Sequence, residues 1–150
     1  MSRVQLALNV SDLEAAIDFY GRLFDAVPAK VRPGYANFAI AEPPLKLVLI
    51  ENRGVGGTLN HLGVEVADSE TVIAATQRLG ASGLATVTEE STACCYAVQD
   101  KVWVSDPDRA PWEIYTVLGE APTMTATDGT ADACCAPAGA TADTEVPAGA

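Results

Sequence analysis

The strongest constraint on the fold is an internal repeat at a spacing of 56 residues. The segment VQLALNVSDLEAAI, which begins at Val4, aligns with NHLGVEVADSETVI, which begins at Asn60. Apolar residues coincide at alternate positions of the two copies, and Asp12 aligns with Asp68. This alternation predicts a strand in each copy, and each aspartate is suited to cap a helix that follows the strand. The chain is therefore expected to fold as two similar halves.

Each copy is predicted to contain one helix and four strands, in the order βαβββ. In the first copy the helix is predicted over 12–24, with strands over 3–10 and near 27–32, 35–41 and 45–51. In the second copy the helix is predicted over 69–80, with strands over 59–67 and near 84–90, 96–104 and 111–117. The predicted fold class is α+β: two tandem modules, about residues 1–55 and 57–120, that form one curved open sheet with helices on its convex side.

Strand alternation also predicts which polar side chains face the concave side of that sheet. Side chains point to opposite faces in turn, so Leu6 and Leu62 are expected to pack beneath the helices. Gln5 and His61 then occupy equivalent concave positions, and Glu113 in the last strand is expected to face them. An amide, an imidazole and a carboxylate suit a divalent metal. The alternative is that these side chains are solvated and that the single histidine of the chain is structural.

The four cysteines occur as two adjacent pairs, Cys94-Cys95 and Cys134-Cys135. Neighbouring residues close only a small strained ring, so these pairs are not structural disulfides. Two adjacent thiols suit a soft ion or a trivalent arsenical; the alternative is that one thiol of each pair is a small buried hydrophobe. Because consecutive strand residues point to opposite faces, both thiols of the first pair can bind one atom only if residues 91–96 form a loop.

The composition changes near residue 120. Residues 121–150 contain no aromatic residue, Leu, Ile, Lys or Arg, and their four acidic residues are Asp128, Asp132, Asp143 and Glu145. Such a segment buries too little apolar surface to offset the entropy of ordering it. We therefore predict a disordered acidic tail over 121–150, which carries the second cysteine pair.

Charge and hydropathy restrict the location and the partners of the chain. Its net charge is −11 and it has no basic stretch, so neither nucleic acid nor an anionic membrane is an expected partner. No apolar run approaches the roughly 20 residues that span a bilayer. The N-terminus lacks the charged start, apolar core and cleavage site of a signal peptide. A cytoplasmic protein is therefore expected.

The duplicated βαβββ pattern, His61 on a strand and the segment DPDRAPWEIY resemble the vicinal-oxygen-chelate superfamily. That superfamily includes glyoxalase I, extradiol dioxygenases and bleomycin- and fosfomycin-resistance proteins. The resemblance implies metal ligands on the first and last strands of each module. Those positions hold Gln5, then Lys46, Leu47 or Val48 depending on register, then His61 and Glu113. No candidate for the second position is a plausible ligand. The resemblance thus implies three protein ligands, with about half of an octahedral shell open to substrate and dioxygen.

The runs STACCYAVQDKVWVSDPDRAPWEIY and MSRVQLALNVSDLEAAIDFYGRLF are similar to the carbon–arsenic lyase family ArsI and the related cadmium-induced proteins, CadI. This resemblance implies a non-haem Fe(II) enzyme that uses O2 to cleave the carbon–arsenic bond of trivalent organoarsenicals. Methylarsenite and trivalent aromatic arsenicals would be the substrates, and arsenite the product. Gln5, His61 and Glu113 would hold Fe(II), with Zn, Ni or Co as substitutes. Cys94, Cys95 and Tyr96 would bind the substrate.

Two other functions are compatible with the same residues. One is a glyoxalase-like isomerase that uses Zn or Ni. The other is a protein that sequesters arsenic or cadmium through its thiols without catalysis. The superfamily forms both single-chain and module-swapped cups, so a homodimer is also an open alternative. Tyr96 and Tyr115 either line the pocket or pack as ordinary strand aromatics.

Overall fold

The computed structural model describes residues 2–124. Within that range the chain forms eight strands and two helices, in the order β1 (Arg3–Val10), α1 (Leu13–Phe24), β2 (Lys30–Arg32), β3 (Tyr35–Ile40), β4 (Leu45–Glu51), β5 (Leu59–Glu65), α2 (Ser69–Ala81), β6 (Val87–Cys94), β7 (Ala97–Ser105) and β8 (Pro111–Glu120). The order βαβββ therefore occurs twice, and the predicted fold class is confirmed. Most of the predicted tail, with Cys134 and Cys135, lies outside the described residues.

The eight strands form one mixed sheet in the order β2-β3-β4-β1-β5-β8-β7-β6. The first strands of the two modules, β1 and β5, pair antiparallel at the centre, and Leu6 lies opposite Leu62. Each of these strands pairs parallel with the last strand of its own module, β1 with β4 and β5 with β8. The sheet is strongly curved. Its two edges approach each other so closely that Tyr96 in the β6–β7 turn contacts Tyr35 on β3, with 5.8 Å between the ring centroids.

Each helix begins at the aspartate that the repeat identifies as a cap. The side chain of Asp12 accepts a hydrogen bond from Ala15 N at 3.0 Å, and that of Asp68 accepts one from Thr71 N at 2.8 Å. These bonds satisfy backbone donors that have no partner within the first helical turn. No helix among the described residues is long and apolar enough to cross a membrane.

The helices cover the convex side of the sheet. On the first module, α1 packs its Leu13 against a core that includes Leu6, Phe38 and Leu49. On the second module, α2 packs on a smaller cluster made by Val66, Val72, Leu79, Val102, Val104 and Ile114. The face of β1 that carries Gln5 and Ala7 is therefore free to form the concave side, as the alternation predicts.

Three strands, β2, β6 and β8, differ most from their predicted ranges. β2 begins only at Lys30, because the chain first completes the end of α1, where Ala26 N donates to Gly21 O. β6 begins at Val87, because Leu84 N still donates to a carbonyl of α2. β8 continues to Glu120, since its pairing with β7 extends to Ala97.

Candidate metal and thiol site

Three polar side chains from three adjacent strands meet on the concave side. Gln5 Nε2 lies 3.0 Å from His61 Nε2 and donates to Glu113 Oε1 at 2.7 Å. His61 Nε2 lies 3.2 Å from Glu113 Oε1. All three residues are buried, with no more than 4 % of their surface exposed. The structure thus brings together the amide, the imidazole and the carboxylate that strand alternation places on one face.

A glycine between the strands makes this approach feasible. Gly63 on β5 pairs with Gln5 on one side and with Glu113 on the other. A Cβ at Gly63 would lie 3.0 Å from Glu113 Cγ and 3.4 Å from Gln5 Nε2. The missing side chain therefore leaves the space in which the other two converge across β5. Strand alternation alone did not predict this role of Gly63, although a glycine inside a strand commonly marks a close approach of neighbouring groups.

A chain of hydrogen bonds fixes which nitrogen of His61 faces the cluster. Asn60 Nδ2 donates to Asn9 Oδ1 at 2.9 Å, so Asn60 Oδ1 is the atom that lies 2.8 Å from His61 Nδ1. An amide oxygen only accepts, and Nδ1 therefore carries the hydrogen. Nε2 is left with a lone pair directed at Gln5 and Glu113, which is the form in which imidazole binds metals.

The spacing of the three side chains fits an octahedral ion. With bonds of about 2.1 Å, adjacent ligands of such an ion lie about 3.0 Å apart, close to the 3.2 Å between His61 Nε2 and Glu113 Oε1. His61 Nε2 and Glu113 Oε1 are moreover both acceptors, and a cation between them would satisfy both. Among residues 2–124, no three His, Cys, Asp or Glu side chains form a metal-binding group. A three-ligand site therefore depends on the amide of Gln5.

The register shows which residue occupies the fourth ligand position of the duplicated fold. The repeat aligns Ala7 with Gly63. Gly63 pairs with Glu113, whereas Ala7 pairs with Val48. Val48 is thus the equivalent of Glu113, and it is buried in an apolar cluster with Tyr35. The fourth position therefore supplies no metal ligand.

Glu113 is also held by a buried lysine that the sequence analysis did not identify. Lys101 Nζ lies 2.7 Å from Glu113 Oε2, and both side chains are almost fully buried. Burial alone would raise the pKa of Glu113, but the charge of Lys101 outweighs it and holds the pKa well below its usual range. Glu113 is therefore ionised, with Oε1 directed at the cluster. The sequence did contain a sign of this ion pair, because a lysine inside a mostly apolar strand is rarely buried without a charged partner.

Behind Gln5 lies a second network of polar groups, in which Tyr115 is buried and Glu65 and Arg3 are partly exposed. Tyr115 Oη donates to Gln5 Oε1 in a short hydrogen bond and lies 3.2 Å from Glu65 Oε2. Glu65 in turn forms ion pairs with Arg3 at 3.1 Å and with Lys46 at 3.4 Å. Burial, followed by the charges of Glu65 and Glu113, raises the pKa of Tyr115, so its hydroxyl stays protonated. Tyr115 therefore contacts the back of Gln5.

The two thiols lie at the tip of the β6–β7 hairpin. β6 continues through Cys94, so the two thiols approach each other without the loop over 91–96 that strand alternation required; only Cys95 and Tyr96 form the turn. Both have positive φ, 55° and 59°, as in a type I′ turn, which normally contains Asn and Gly. The turn replaces regular strand alternation and brings the sulfurs within 3.4 Å. That separation is well beyond the roughly 2.05 Å of a disulfide, so the two sulfurs are not bonded to each other.

Contacts from two sides hold this turn. On the side of the first module, Tyr96 Oη donates to Pro33 O at 3.0 Å, and Lys30 Nζ donates to Tyr96 O at 3.2 Å. On the other side, Cys95 N donates to Met124 O at 2.8 Å, and Tyr96 N donates to Thr123 O at 3.2 Å. Residues 121–124, which composition assigns to the tail, therefore pack against the turn. Tyr96 packs beside Cys95 over the concave face of the first module.

Residues 3–114 match the family described as the Glyoxalase/Bleomycin resistance protein/Dioxygenase superfamily. Over 138 residues the chain is 66% identical to the "Trivalent organoarsenical cleaving enzyme" of Thermomonospora curvata, covering 91% of this chain and 90% of that protein. It is 62% identical over 142 residues to the "Cadmium-induced protein CadI" of Mycobacterium bovis, covering 90% of this chain and 93% of that protein.

The fold is similar to that of an extradiol ring-cleaving dioxygenase from B. fuscum, with a TM-score of 0.60 and 20% identity. The match covers 79% of this chain and 33% of that protein. Together with the duplicated βαβββ sheet, these similarities confirm the predicted family. The chain belongs to the glyoxalase, bleomycin-resistance and dioxygenase superfamily, with organoarsenical-cleaving enzymes and CadI proteins among its relatives.

Proposed function

We propose that this protein is an Fe(II)- and O2-dependent lyase that cleaves the carbon–arsenic bond of trivalent organoarsenicals, including methylarsenite and aromatic arsenicals, to give arsenite. The observation that supports the proposal is that a thiol pair and a cluster of three buried polar side chains lie on one concave face. The sulfurs of Cys94 and Cys95 are 3.4 Å apart, and the cluster is formed by Gln5, His61 and Glu113. The name of the relative from Thermomonospora curvata supports the same activity.

In this proposal Cys94 and Cys95 bind trivalent arsenic. Thiolate is a soft ligand, and two adjacent sulfurs chelate an atom that keeps its organic group as the third substituent. The type I′ turn holds both sulfurs on one side of the hairpin before the substrate arrives. Tyr96 is proposed to hold the turn closed and to line the pocket, because its hydroxyl is bonded to Pro33 and its ring packs beside Cys95.

β7 connects the thiols with the proposed metal ligands. Gln99, Lys101 and Trp103 lie on one face of this strand. Gln99 Nε2 donates to Cys94 O at 3.2 Å, and the Trp103 ring lies 5.4 Å from that of His61. Gln99 Oε1 and Trp103 Nε1 are buried and have no hydrogen-bond partner among the described residues. Buried polar groups are rarely left unsatisfied, so this row of side chains is suited to contact a bound molecule between the two centres.

Gln5, His61 and Glu113 are the proposed ligands of Fe(II), which when bound would supply the activation of dioxygen. The hydrogen on His61 Nδ1 leaves Nε2 available, and Lys101 keeps Glu113 ionised and directs one carboxylate oxygen at the cluster. Burial of all three side chains excludes water from the reacting groups. Val48 at the equivalent fourth position leaves more of the coordination shell open, which favours this proposal over a glyoxalase-like isomerase with four protein ligands.

The deciding experiment measures arsenite directly. The metal-free full chain is reconstituted anaerobically with Fe(II), given methylarsenite, and divided into samples with and without dioxygen. Arsenite is expected only where both Fe(II) and dioxygen are present. A Glu113→Gln variant retains both thiols and is expected to bind the arsenical without forming arsenite. If the parent protein forms no arsenite in this assay but still protects cells from methylarsenite, thiol-based sequestration replaces the lyase proposal.

A further inference from the structure

The amide of Gln5 is oriented with its nitrogen towards the cluster. Gln5 Nε2 bridges two acceptors, Glu113 Oε1 at 2.7 Å and His61 Nε2 at 3.0 Å. An amide nitrogen carries hydrogens and has no lone pair to offer a cation, whereas the amide oxygen has two. Gln5 therefore contributes a ligand only after a half turn about its Cγ–Cδ bond, which exchanges the oxygen and the nitrogen.

After that half turn the nitrogen would face Tyr115, whose hydroxyl can serve both orientations. A hydroxyl donates one hydrogen bond and accepts others. In the present orientation Tyr115 Oη donates to Gln5 Oε1. In the other, Gln5 Nε2 donates to Tyr115 Oη, and the hydroxyl hydrogen turns to Glu65 Oε2, already 3.2 Å away. The flip takes the amide donor away from His61 Nε2 and Glu113 Oε1, and a cation bound between these atoms and Gln5 Oε1 would replace it, so every buried polar atom keeps a partner only in the metal-bound form.

Glu65 is placed to favour the second orientation. Arg3 Nε lies 3.2 Å from Glu65 Oε2, and Lys46 Nζ lies 3.4 Å from the same oxygen. The two cations hold Glu65 as a carboxylate, which attracts the hydroxyl hydrogen of Tyr115. When Glu65 takes that hydrogen bond, Tyr115 presents a lone pair to Gln5. A lone pair at that point selects the amide nitrogen and turns the amide oxygen towards His61 and Glu113.

We infer that Tyr115 and Glu65 are positioning residues, which set the orientation of the Gln5 amide and thereby its capacity to bind a metal ion. The inference rests on the metal cluster of the proposed function. Tyr115 is fully buried between Gln5 and Glu65, so it acts through Gln5 and touches neither substrate nor metal.

Binding of Mn(II) to the full chain tests this role without turnover, with the electron paramagnetic resonance signal of unbound Mn(II) as the readout. Mn(II) prefers oxygen and nitrogen ligands, so the thiol pairs compete weakly for it. Tyr115→Phe is expected to weaken binding by about 10- to 100-fold, as loss of a group that orients a metal ligand commonly does. Glu65→Gln is expected to have a smaller effect in the same direction. Tyr35→Phe is the matched control, because it removes another buried hydroxyl, bonded to Asn37 instead.

A double-mutant comparison separates positioning from general support of the fold. In a Gln5→Glu background the ligand has two equivalent oxygens and no orientation to select, so Tyr115→Phe should change Mn(II) affinity little. Equal losses in both backgrounds, or no loss in the parent, would overturn the positioning role and leave the cluster standing. If the parent does not bind Mn(II), or binds it equally well after His61→Ala, the cluster itself is wrong and the inference fails with it.

Discussion

The two modules share the same βαβββ topology, but the side chains on their concave faces are apolar in one module and charged in the other. At equivalent places the first module has Ala7, Val48 and Tyr35, and the second has Gly63, Glu113 and Lys101. The first set is apolar or aromatic and packs beneath the thiol turn. The second contains a buried ion pair directed at the cluster. Divergence of two equivalent halves has thus left one surface for the thiols and another for the proposed metal ion.

The first strands of the modules have diverged less in function than the last strands. Gln5 and His61 are repeat-equivalent, and both point to the same place. Only the second module adds a proposed ligand from its last strand, because Val48 stands in the first module where Glu113 stands in the second. An incomplete set of protein ligands therefore follows from one difference between the halves. Substitutions at the equivalent positions of the two modules test this difference.

The largest effect is expected from Glu113→Gln, which removes the only carboxylate among the three proposed ligands. Arsenite formation should fall by more than about 100-fold, since even residues that merely orient ligands cost 10- to 100-fold in affinity. The variant also leaves Lys101 buried without its partner, at a cost of about 3–5 kcal/mol in the free energy of unfolding. Thermal unfolding and arsenite assays measure the two effects.

Addition of Lys101→Met to Glu113→Gln provides the control for that loss of stability. The double variant should recover most of the stability, because the unpaired charge is gone, but none of the activity. Recovery of arsenite formation in the double variant would contradict the proposed ligand role of Glu113.

Val48→Glu makes the modules alike by supplying a carboxylate at the vacant equivalent position. Mn(II) should bind at least about tenfold more tightly, because an added charged ligand increases affinity. Arsenite formation should fall, since a fourth protein ligand occupies space needed by dioxygen or substrate. The metal-free protein should be destabilised by about 2–4 kcal/mol through burial of a carboxyl group. Calorimetric titration with Mn(II) measures the affinity, and unchanged binding would refute the equivalence of Val48 and Glu113.

Gly63→Ala tests the gap between Gln5 and Glu113. Its Cβ would lie 3.0 Å from Glu113 Cγ, so the carboxylate must move away. We expect metal affinity to fall about tenfold, as a disturbed ligand geometry predicts. Gly80→Ala in α2 is the control, because its Cβ would meet nothing within 4 Å. That variant should raise the melting temperature slightly and leave metal binding unchanged.

The smallest effect is expected from shortening the chain. Ending the chain at Met124 keeps the hydrogen bonds to Cys95 N and Tyr96 N, whereas ending it at Glu120 removes both. With about 0.5 kcal/mol for each bond, or about 1 kcal/mol together, the shorter chain should bind phenylarsenite about fivefold more weakly than the longer one. Fluorescence titration of both chains measures the ratio. Equal affinities would show that residues 121–124 do not support the thiol turn.

Much of this arrangement was predictable from sequence because strand alternation is a local rule. The 56-residue repeat and the alternation of polar and apolar residues placed Gln5, His61 and Glu113 on one face, and the structure brings them together. The roles of Lys101 and Tyr115 were missed. Both depend on which strands are neighbours and in which register, and periodicity along one strand does not contain that information.

The sequence by itself determined the duplicated βαβββ plan, the helix caps at Asp12 and Asp68 and the faces of the strands, because these follow from neighbours along the chain. Only the tertiary structure decided that Val48 is the equivalent of Glu113 and that Gly63 opens the space for the cluster. It also decided that a turn with positive φ, rather than a loop, joins the two sulfurs. These features arise from pairing between distant strands, where one residue of register changes every contact.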